Sequence, residues 1–188
     1  EGEECRIAVL EDGILEELYM ERASVGAQVG NIYKGRVTNV EPSIQAAFVD
    51  YGAPKHGFLH ISDVQPQYFP QGQREAEQVG KKRARKDRPP IQECLRRGQE
   101  VIVQITKEGI GTKGPTLTTY LSVPGRFVVM MPGMIRQGVS RKIEDEDERS
   151  KLRKYLDEME LPKDIGFIVR TAGMGRSKRD LQQDINYL

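Results

Sequence analysis

The sequence predicts a β-rich α+β fold, and three observations support that prediction. First, the 188 residues include 19 glycines and ten prolines, which implies many turns between short elements. Second, five short strand-like segments separated by turn signals occupy the middle of the chain. Third, the longer helical patterns occur only in the last third. We therefore expect a five-stranded OB-fold barrel followed by a smaller α+β unit.

A β-hairpin is predicted at the start of the chain. Arg6 to Leu10 and Ile14 to Met20 are strand-like, and Glu11-Asp12-Gly13 between them is a hairpin turn signal. A single hairpin is too small to form a domain. Ala23 to Gly30 has the character of a loose connection.

The barrel is predicted over residues 31–119. Short strands in this region alternate with glycine-containing or proline-containing turns, and five of them match the strand count of an OB-fold. In that fold the second and third strands carry the ligand-binding face. The predicted strands are Tyr33–Val37, Ala46–Tyr51, Phe58–Ile61, Val101–Thr106 and Leu117–Leu121.

Aromatic residues alternate with aliphatic ones on the second and third of these strands. A barrel would bury the aliphatic sets, which are Ala47, Val49, Leu59 and Ile61. Phe48, Phe58 and His60 would then lie side by side outside. Such a surface stacks nucleic-acid bases when cations flank it, here Lys34, Arg36 and Lys55. The alternative is that both phenylalanines are core residues, as phenylalanines usually are.

Charge is segregated along the chain although the net charge is only +1. Lys81 to Arg88 carries six cations, whereas Glu144 to Glu148 is five acids in a row. Each run is either part of a polyanion-binding arrangement or a solvated loop. The basic run lies in Gln65 to Pro90, which lacks an apolar period and resembles a long mobile loop or an insertion. Ile91 to Arg97 follows as a possible short helix.

A second unit begins at the strand-like segment Phe127 to Met131. An amphipathic helix is predicted over Asp147 to Met159, and it is most simply part of the scaffold. Its apolar residues fall at positions i, i+3, i+4 and i+7, namely Leu152, Tyr155, Leu156 and Met159.

A phosphate-binding arrangement is predicted near the end of the chain. The strand Gly166 to Val169 leads into Arg170 and Thr171, a glycine-rich turn, and a helix that begins at the capping box Ser177-x-x-Asp180. An arginine fork, a hydroxyl and the N–H groups of a turn and helix start suit an anion. The alternative is an ordinary glycine turn before a helix.

Catalytic signatures are scarce. The two histidines, His56 and His60, both lie in the predicted binding hairpin, and no nucleophile elbow, HExxH or CxxC motif occurs. The acids of 144–148 are adjacent residues that point in different directions, which argues against a metal site. Cys5 and Cys94 are far apart, which predicts neither a disulfide framework nor a zinc site and fits a reducing cytoplasm.

The ends of the chain suggest a piece of a longer protein. The acidic start lacks an initiating Met and is not a signal peptide, and no apolar run is long enough to span a membrane. The last helical pattern stops without a closing Gly or Pro.

Four segments together resemble the bacterial ribonuclease E/G family of endoribonucleases. They occur in order over nearly the whole chain: NIYKGRVTNVEPSIQAAFVDYGAPKHGFLHISD, EVIVQITKEGIGTKGPTLTTYLS, GVSRKIED and GFIVRTAGMG. The resemblance is interrupted by the insertion at about 65–97. It implies strands of an incomplete ribonuclease H-like subdomain at 1–30, an S1-type RNA-binding OB-fold at 31–119, and an incomplete 5′ sensor at 120–188.

Matching of motifs also implies particular functional residues. The RNA-contact positions of the S1-type domain are Phe48, Phe58 and Lys113, with Lys34 and His60 beside them. The pocket for a 5′-monophosphate corresponds to Arg170 and Thr171, with backbone support near Gly125 and Val129 and basic residues at Arg141 and Lys142. Some family members have a second Arg at the position of Lys142.

The family's catalytic parts correspond to no segment of this sequence. The resemblance implies Mg²⁺ held by two Asp residues in a later DNase I-like subdomain, a zinc-link for oligomerisation, and a homo-oligomeric whole protein. We therefore expect the RNA-binding and 5′-sensing portion of a nuclease, inactive alone and binding neither metal. The alternatives are a non-catalytic S1-type RNA-binding protein, such as a ribosome-associated factor, and an enzyme of small phosphorylated metabolites.

Overall fold

The computed structural model describes residues 4–11, 13–22 and 28–188. The first two strands pair antiparallel as the predicted N-terminal hairpin, with an irregular register between Val9 and Leu10. Asp12 of the predicted turn and residues 23–27 of the predicted loose connection lie outside the described residues. Among the residues described, every helix is too short or too polar to span a lipid bilayer.

The described residues form thirteen strands and three α-helices. The strands are β1 (Glu4–Glu11), β2 (Ile14–Arg22), β3 (Ile32–Glu41), β4 (Ala46–Asp50), β5 (Gly57–His60), β6 (Glu77–Gln78), β7 (Glu100–Lys107), β8 (Thr116–Thr118), β9 (Val123–Pro124), β10 (Val128–Pro132), β11 (Met134–Ile135), β12 (Gln137–Val139) and β13 (Ile165–Val169). The helices are α1 (Ile91–Cys94), α2 (Glu146–Asp157) and α3 (Lys178–Tyr187).

The predicted five-stranded barrel is confirmed. It closes in the order β3-β4-β5-β8-β7, and its last strand is shorter than predicted because β8 ends at Thr118. All neighbours are antiparallel except β5 and β8, which pair in parallel. The aliphatic members of the alternation fill the interior: Ala47, Val49 and Leu59 are 0% exposed and Ile61 is 2% exposed.

The segment between β5 and β7 is a packed insertion and not a loop without structure. Phe69, Ile91 and Leu95 from this segment join the hydrophobic core of the barrel. Its strand β6 pairs in parallel with β11, so the insertion also contacts the second unit. Burial here comes from single residues at irregular spacing, which leaves no period for a sequence pattern to reveal.

A buried polar network holds the insertion in place. The guanidinium of Arg88 donates to Glu77 Oε1 at 3.0 Å, Tyr120 Oη at 2.8 Å and the carbonyl oxygen of Val64 at 2.8 Å. The side chains of Arg88 and Glu77 are 1% and 3% exposed. Tyr120 also donates to the second carboxylate oxygen of Glu77. One cation of the predicted basic run is therefore a structural residue.

The second unit is a four-stranded sheet, ordered β12-β13-β10-β9, against which α2 and α3 pack. Helix α2 occupies most of the predicted span and is N-capped by Asp145, which accepts from the N–H groups of Asp147 and Glu148. The predicted capping box at Ser177 and Asp180 is confirmed at the start of α3. Leu181 and Ile185 are the residues that anchor α3 to the core.

Candidate nucleic-acid interface

Three rings form a row on the outer face of the barrel. Phe48 and Phe58 lie directly opposite each other on β4 and β5, with ring centroids 6.0 Å apart and ring planes at 66°. His60 stacks beside Phe58 at 6.5 Å, with planes only 22° apart. All three are half-buried, and neither phenylalanine belongs to the buried core. The alternative that both are core residues does not hold, because alternation along the strands turns them outward.

A groove of about 700 Å³ opens over the two phenylalanines. Its far wall is the loop between β7 and β8, which contributes Thr112, Lys113 and Gly114. Gly114 allows this approach, because a Cβ there would lie 1.9 Å from the carbonyl oxygen of His56. The ammonium of Lys55 donates to the Gly111 carbonyl and ties the two sides together. Exposed Lys113 therefore lines the same groove as Phe48 and Phe58.

His60 presents a neutral ring. Its Nδ1 accepts the N–H of Ser62 at 3.2 Å, so in the neutral ring the proton is on Nε2. Burial lowers the pKa of His60, and the positive charges of Arg85 and Arg88 lower it further, although Asp63 acts in the opposite direction. At neutral pH the side chain is thus a flat ring with one N–H donor.

The structure does not bring Lys34 to this groove. Lys34 lies opposite Ile102 on β7, whereas Phe48 lies opposite Asn39, five residues further along β3. Five residues of strand span about 16 Å. The ammonium of Lys34 is paired with Glu100 Oε2 at 2.7 Å, and the hydrogen bond from Lys34 lowers the pKa of Glu100.

The predicted phosphate residues meet at one edge of the second sheet. Strands β12 and β13 run parallel and finish together, Val139 opposite Val169. Antiparallel β10 starts at the same edge, since Val128 also lies opposite Val169. Three loops therefore converge there. They carry the candidates Gly125, Arg141, Lys142, Arg170 and Thr171, while Val129 lies at the start of β10.

The side chains at this edge differ in how they are held. The Arg170 guanidinium donates to the Gly125 carbonyl at 2.8 Å, and Arg141 donates to the Gly80 carbonyl of the insertion at 3.2 Å. Thr171 and Lys142 are exposed. The Gly125 N–H already donates to the Val128 carbonyl at 2.7 Å, and Val129 lies inside the sheet opposite Ile168. The Gly125 amide is therefore not free for an anion, contrary to the expectation.

Asp184 is a residue of this edge that the sequence pattern did not reveal. Its carboxylate on α3 accepts the N–H groups of Arg126 at 3.0 Å, Phe127 at 2.7 Å and Val128 at 2.9 Å. Burial alone would raise its pKa, but these three donors and nearby Arg170 hold the pKa of Asp184 below its usual value. Gly125 leaves room for the carboxylate, since a Cβ there would lie 2.6 Å from Asp184 Oδ2.

The backbone amides before α3 are also occupied. The N–H of Gly175 donates to Glu148 Oε2 at 3.2 Å, and the N–H of Ser177 donates to Asp180 Oδ2 at 3.1 Å. The expectation that the amides of this turn and helix start face an anion is wrong at these two positions, because the protein's own carboxylates accept them. Exposed side-chain donors at this edge include those of Arg170, Thr171 and Lys142.

Metal-binding chemistry is not supported by the residues described. Within residues 28–188, whose side chains the structure describes, no group of three or more His, Cys, Asp or Glu side chains could hold a metal ion. Cys94 is buried, and burial raises the pKa of its thiol to about 11, which leaves it protonated at neutral pH. The side chain of Cys5 lies outside the described residues.

Comparison with known proteins identifies both parts of the chain. The S1 RNA binding domain model matches residues 27–118, and the model of the Ribonuclease E/G family matches residues 122–188. Ribonuclease E of Escherichia coli (strain K12) is 44% identical over 98% of this chain. Ribonuclease G of Salmonella typhimurium (strain SL1344) is 43% identical, also over 98%. The chain belongs to the ribonuclease E/G family.

The chain spans well under half the length of the relatives that it matches. The match covers 16% of the Escherichia coli Ribonuclease E and 36% of the Salmonella Ribonuclease G. Ribonuclease E of Haemophilus influenzae is 43% identical over 99% of this chain, and 19% of that protein is covered. The matching family models and the sequence identities confirm the family resemblance of the four sequence segments.

Proposed function

We propose that this chain is the RNA-binding and 5′-monophosphate-sensing portion of a single-strand-specific endoribonuclease that acts in RNA processing and decay in the cytoplasm. The observation that carries the proposal is the ring row Phe48, Phe58 and His60 with Lys55 and Lys113 at one end of it. The family membership of the chain supports the same conclusion.

Single-stranded RNA is the ligand that suits the ring row. Bases stack on exposed rings whatever their sequence, and each such stack contributes about 1–3 kcal/mol. Paired bases cannot offer their faces to Phe48 and Phe58, so a duplex would bind less well. Lys113 supplies a phosphate contact, which makes the affinity fall as the salt concentration rises.

The sheet edge of the second unit is proposed to hold the 5′-monophosphate. Arg170 keeps donors beyond the one it gives to Gly125, and exposed Thr171 offers a hydroxyl. Charge-assisted hydrogen bonds of this kind favour an ionised phosphate over a hydroxyl end. A 5′-triphosphate would fit the short turn less well than a monophosphate.

Hydrolysis itself is proposed for the whole protein and not for this segment. Mg²⁺ would supply the hydrolytic chemistry from outside the segment, and the residues described here do not fit a site for it. We also propose that the whole protein forms homo-oligomers through a zinc-link outside this segment. We expect no Mg²⁺-dependent cleavage of single-stranded RNA by this chain, and robust cleavage would contradict that expectation.

A non-catalytic S1-type RNA-binding protein is the competing proposal. It would use the ring row in the same way and would have no use for the 5′ end. The convergence of Arg170, Thr171 and Lys142 at one edge favours the 5′ sensor.

Binding of 3′-labelled RNA tests the proposal by fluorescence anisotropy. The wild type should bind a single strand more tightly than the same strand in a duplex, and Phe58→Leu should lose that affinity. Leucine keeps the apolar volume and removes the ring. Phe69→Leu is the matched control, because Phe69 is 0% exposed and its loss should lower stability and not RNA affinity. Equal affinities for strand and duplex would contradict the proposal.

A further inference from the structure

A second groove lies at the other end of the ring row. Phe48 is opposite Phe58, and the next same-face pair is Ala46 and His60. Same-face positions on a strand are about 7 Å apart. One residue beyond His60, a groove of about 360 Å³ is lined by Gln45, Ile61, Arg85, Lys86, Arg88 and Pro89. The row therefore ends at a groove walled by the insertion.

The walls of this groove are fixed. Gln45 at its floor accepts the N–H of Ile91 at 3.0 Å and donates to the Pro42 carbonyl at 2.8 Å. Its backbone carbonyl accepts the N–H of Ile61 at 2.9 Å. On the opposite side, buried Arg88 anchors the single helical turn Arg85–Asp87 that precedes it. The groove is thus built on ordered residues.

Two cations of the groove are available to a ligand. Arg85 and Lys86 are exposed on that turn, and neither side chain has a hydrogen-bond or salt-bridge partner among residues 28–188. Three other cations of the basic run are committed: Lys82 contacts Asp63 at 3.5 Å, Arg83 donates to the carbonyls of Gln73 and Glu75, and Arg88 is part of the buried network. Lys81 is exposed and does not line this groove. The Arg85 charge also lies close enough to His60 to lower its pKa.

We infer that Arg85 and Lys86 form a phosphate-binding extension of the RNA site, which continues the strand path from the ring row past His60 and onto the insertion. The inference rests on the proposed RNA-binding function. A single RNA strand whose bases stack on Phe48, Phe58 and His60 carries its next phosphates to Arg85 and Lys86, the two exposed cations that line the groove. The His60 ring ends the stacking surface on the side of the insertion.

The test compares a 4-nucleotide and a 12-nucleotide oligouridylate, because only the longer strand reaches beyond the ring row. The variant Arg85→Gln/Lys86→Gln should bind the 12-mer on the order of ten-fold more weakly at low salt and bind the 4-mer like wild type. Its plot of log affinity against log salt should be shallower by about 1.4, the slope expected for two lost phosphate contacts of a single strand.

The matched control is Arg96→Gln/Arg97→Gln, which removes the same charge from an exposed pair elsewhere in the insertion. It should leave both affinities and the salt slope close to wild type. An unchanged 12-mer affinity and slope in the Arg85/Lys86 variant would overturn the inference while RNA binding stands. An equal loss for both oligomers, or for both double variants, would also overturn it. Failure of the wild type to bind either oligomer would instead overturn the proposed function.

Discussion

The barrel and the second unit each collect their candidate residues at one place, but by different means. On the barrel the rings come from neighbouring regular strands, Phe48 directly opposite Phe58. At the sheet edge all candidates except Val129 come from three loops. Several backbone N–H groups there donate to the carboxylates of Asp184, Glu148 and Asp180. The comparison teaches that strand geometry brings side chains together directly, whereas a loop cluster depends on carboxylates that hold its backbone.

The loss of Arg88 should have the largest effect on stability, because Arg88 anchors the insertion, which contacts both the barrel and the second unit. Arg88→Ala leaves the Glu77 carboxylate buried beside Tyr120 without its cation, which should lower the free energy of unfolding by about 3–5 kcal/mol. Urea denaturation measures this loss. Arg85→Ala is the control, because an exposed cation three residues away should change stability by less than about 0.5 kcal/mol. A loss near zero for Arg88→Ala would show that the network does not hold the insertion.

A smaller effect should be confined to the second unit. Asp184→Ala removes the acceptor of three backbone N–H groups. Because the site is only partly buried, water can replace part of these contacts, and we expect the free energy of unfolding to fall by about 1.5–3 kcal/mol in total. Amide hydrogen exchange should become faster at Arg126, Phe127 and Val128, while affinity for an RNA with a 5′-hydroxyl stays unchanged. Gln183→Ala, at an exposed neighbouring position of α3, is the control. Unaltered exchange at these three amides would show that Asp184 does not hold this part of the backbone.

The smallest expected effect is the change of stability with pH that is caused by His60 of the ring row. The pKa of His60 in the folded protein is lowered from an unfolded value of about 6.5, so the unfolded state binds more protons just below that pH. The free energy of unfolding should therefore decrease as pH falls below about 6.5 and level off below the folded pKa. His60→Gln should show a smaller decrease over the same range. Identical pH profiles for the two proteins would contradict the neutral ring.

The sequence predicted the barrel well because its strands obey a period of two. Ala47, Val49, Leu59 and Ile61 were separated from Phe48, Phe58 and His60 by alternation alone, and their burial confirms it. The capping box at Ser177 was predicted for a similar reason, since its partner lies three residues away. Local regularities of this kind are visible in a single sequence.

Contacts between distant residues were not predictable in the same way. The hydrogen bond between Phe127 and Asp184 joins residues 57 positions apart in the sequence, and the one between Arg88 and Tyr120 joins residues 32 positions apart. No rule of sequence spacing predicts such pairs. Lys34 is predicted to flank the rings because it lies on the strand next to the one that carries Phe48. Its position along β3 places it beside Glu100 instead.

One crossed titration tests the central claim that the ring row binds the strand and the sheet edge reads its 5′ end. Affinities of wild type, Phe58→Leu and Arg170→Ala are measured for one single-stranded RNA with either a 5′-monophosphate or a 5′-hydroxyl. Phe58→Leu should weaken both RNAs by the same factor, corresponding to about 1–3 kcal/mol. Arg170→Ala should abolish the preference for the monophosphate and leave the hydroxyl RNA unchanged. Equal wild-type affinities for the two ends, or no loss in Phe58→Leu, would contradict the account.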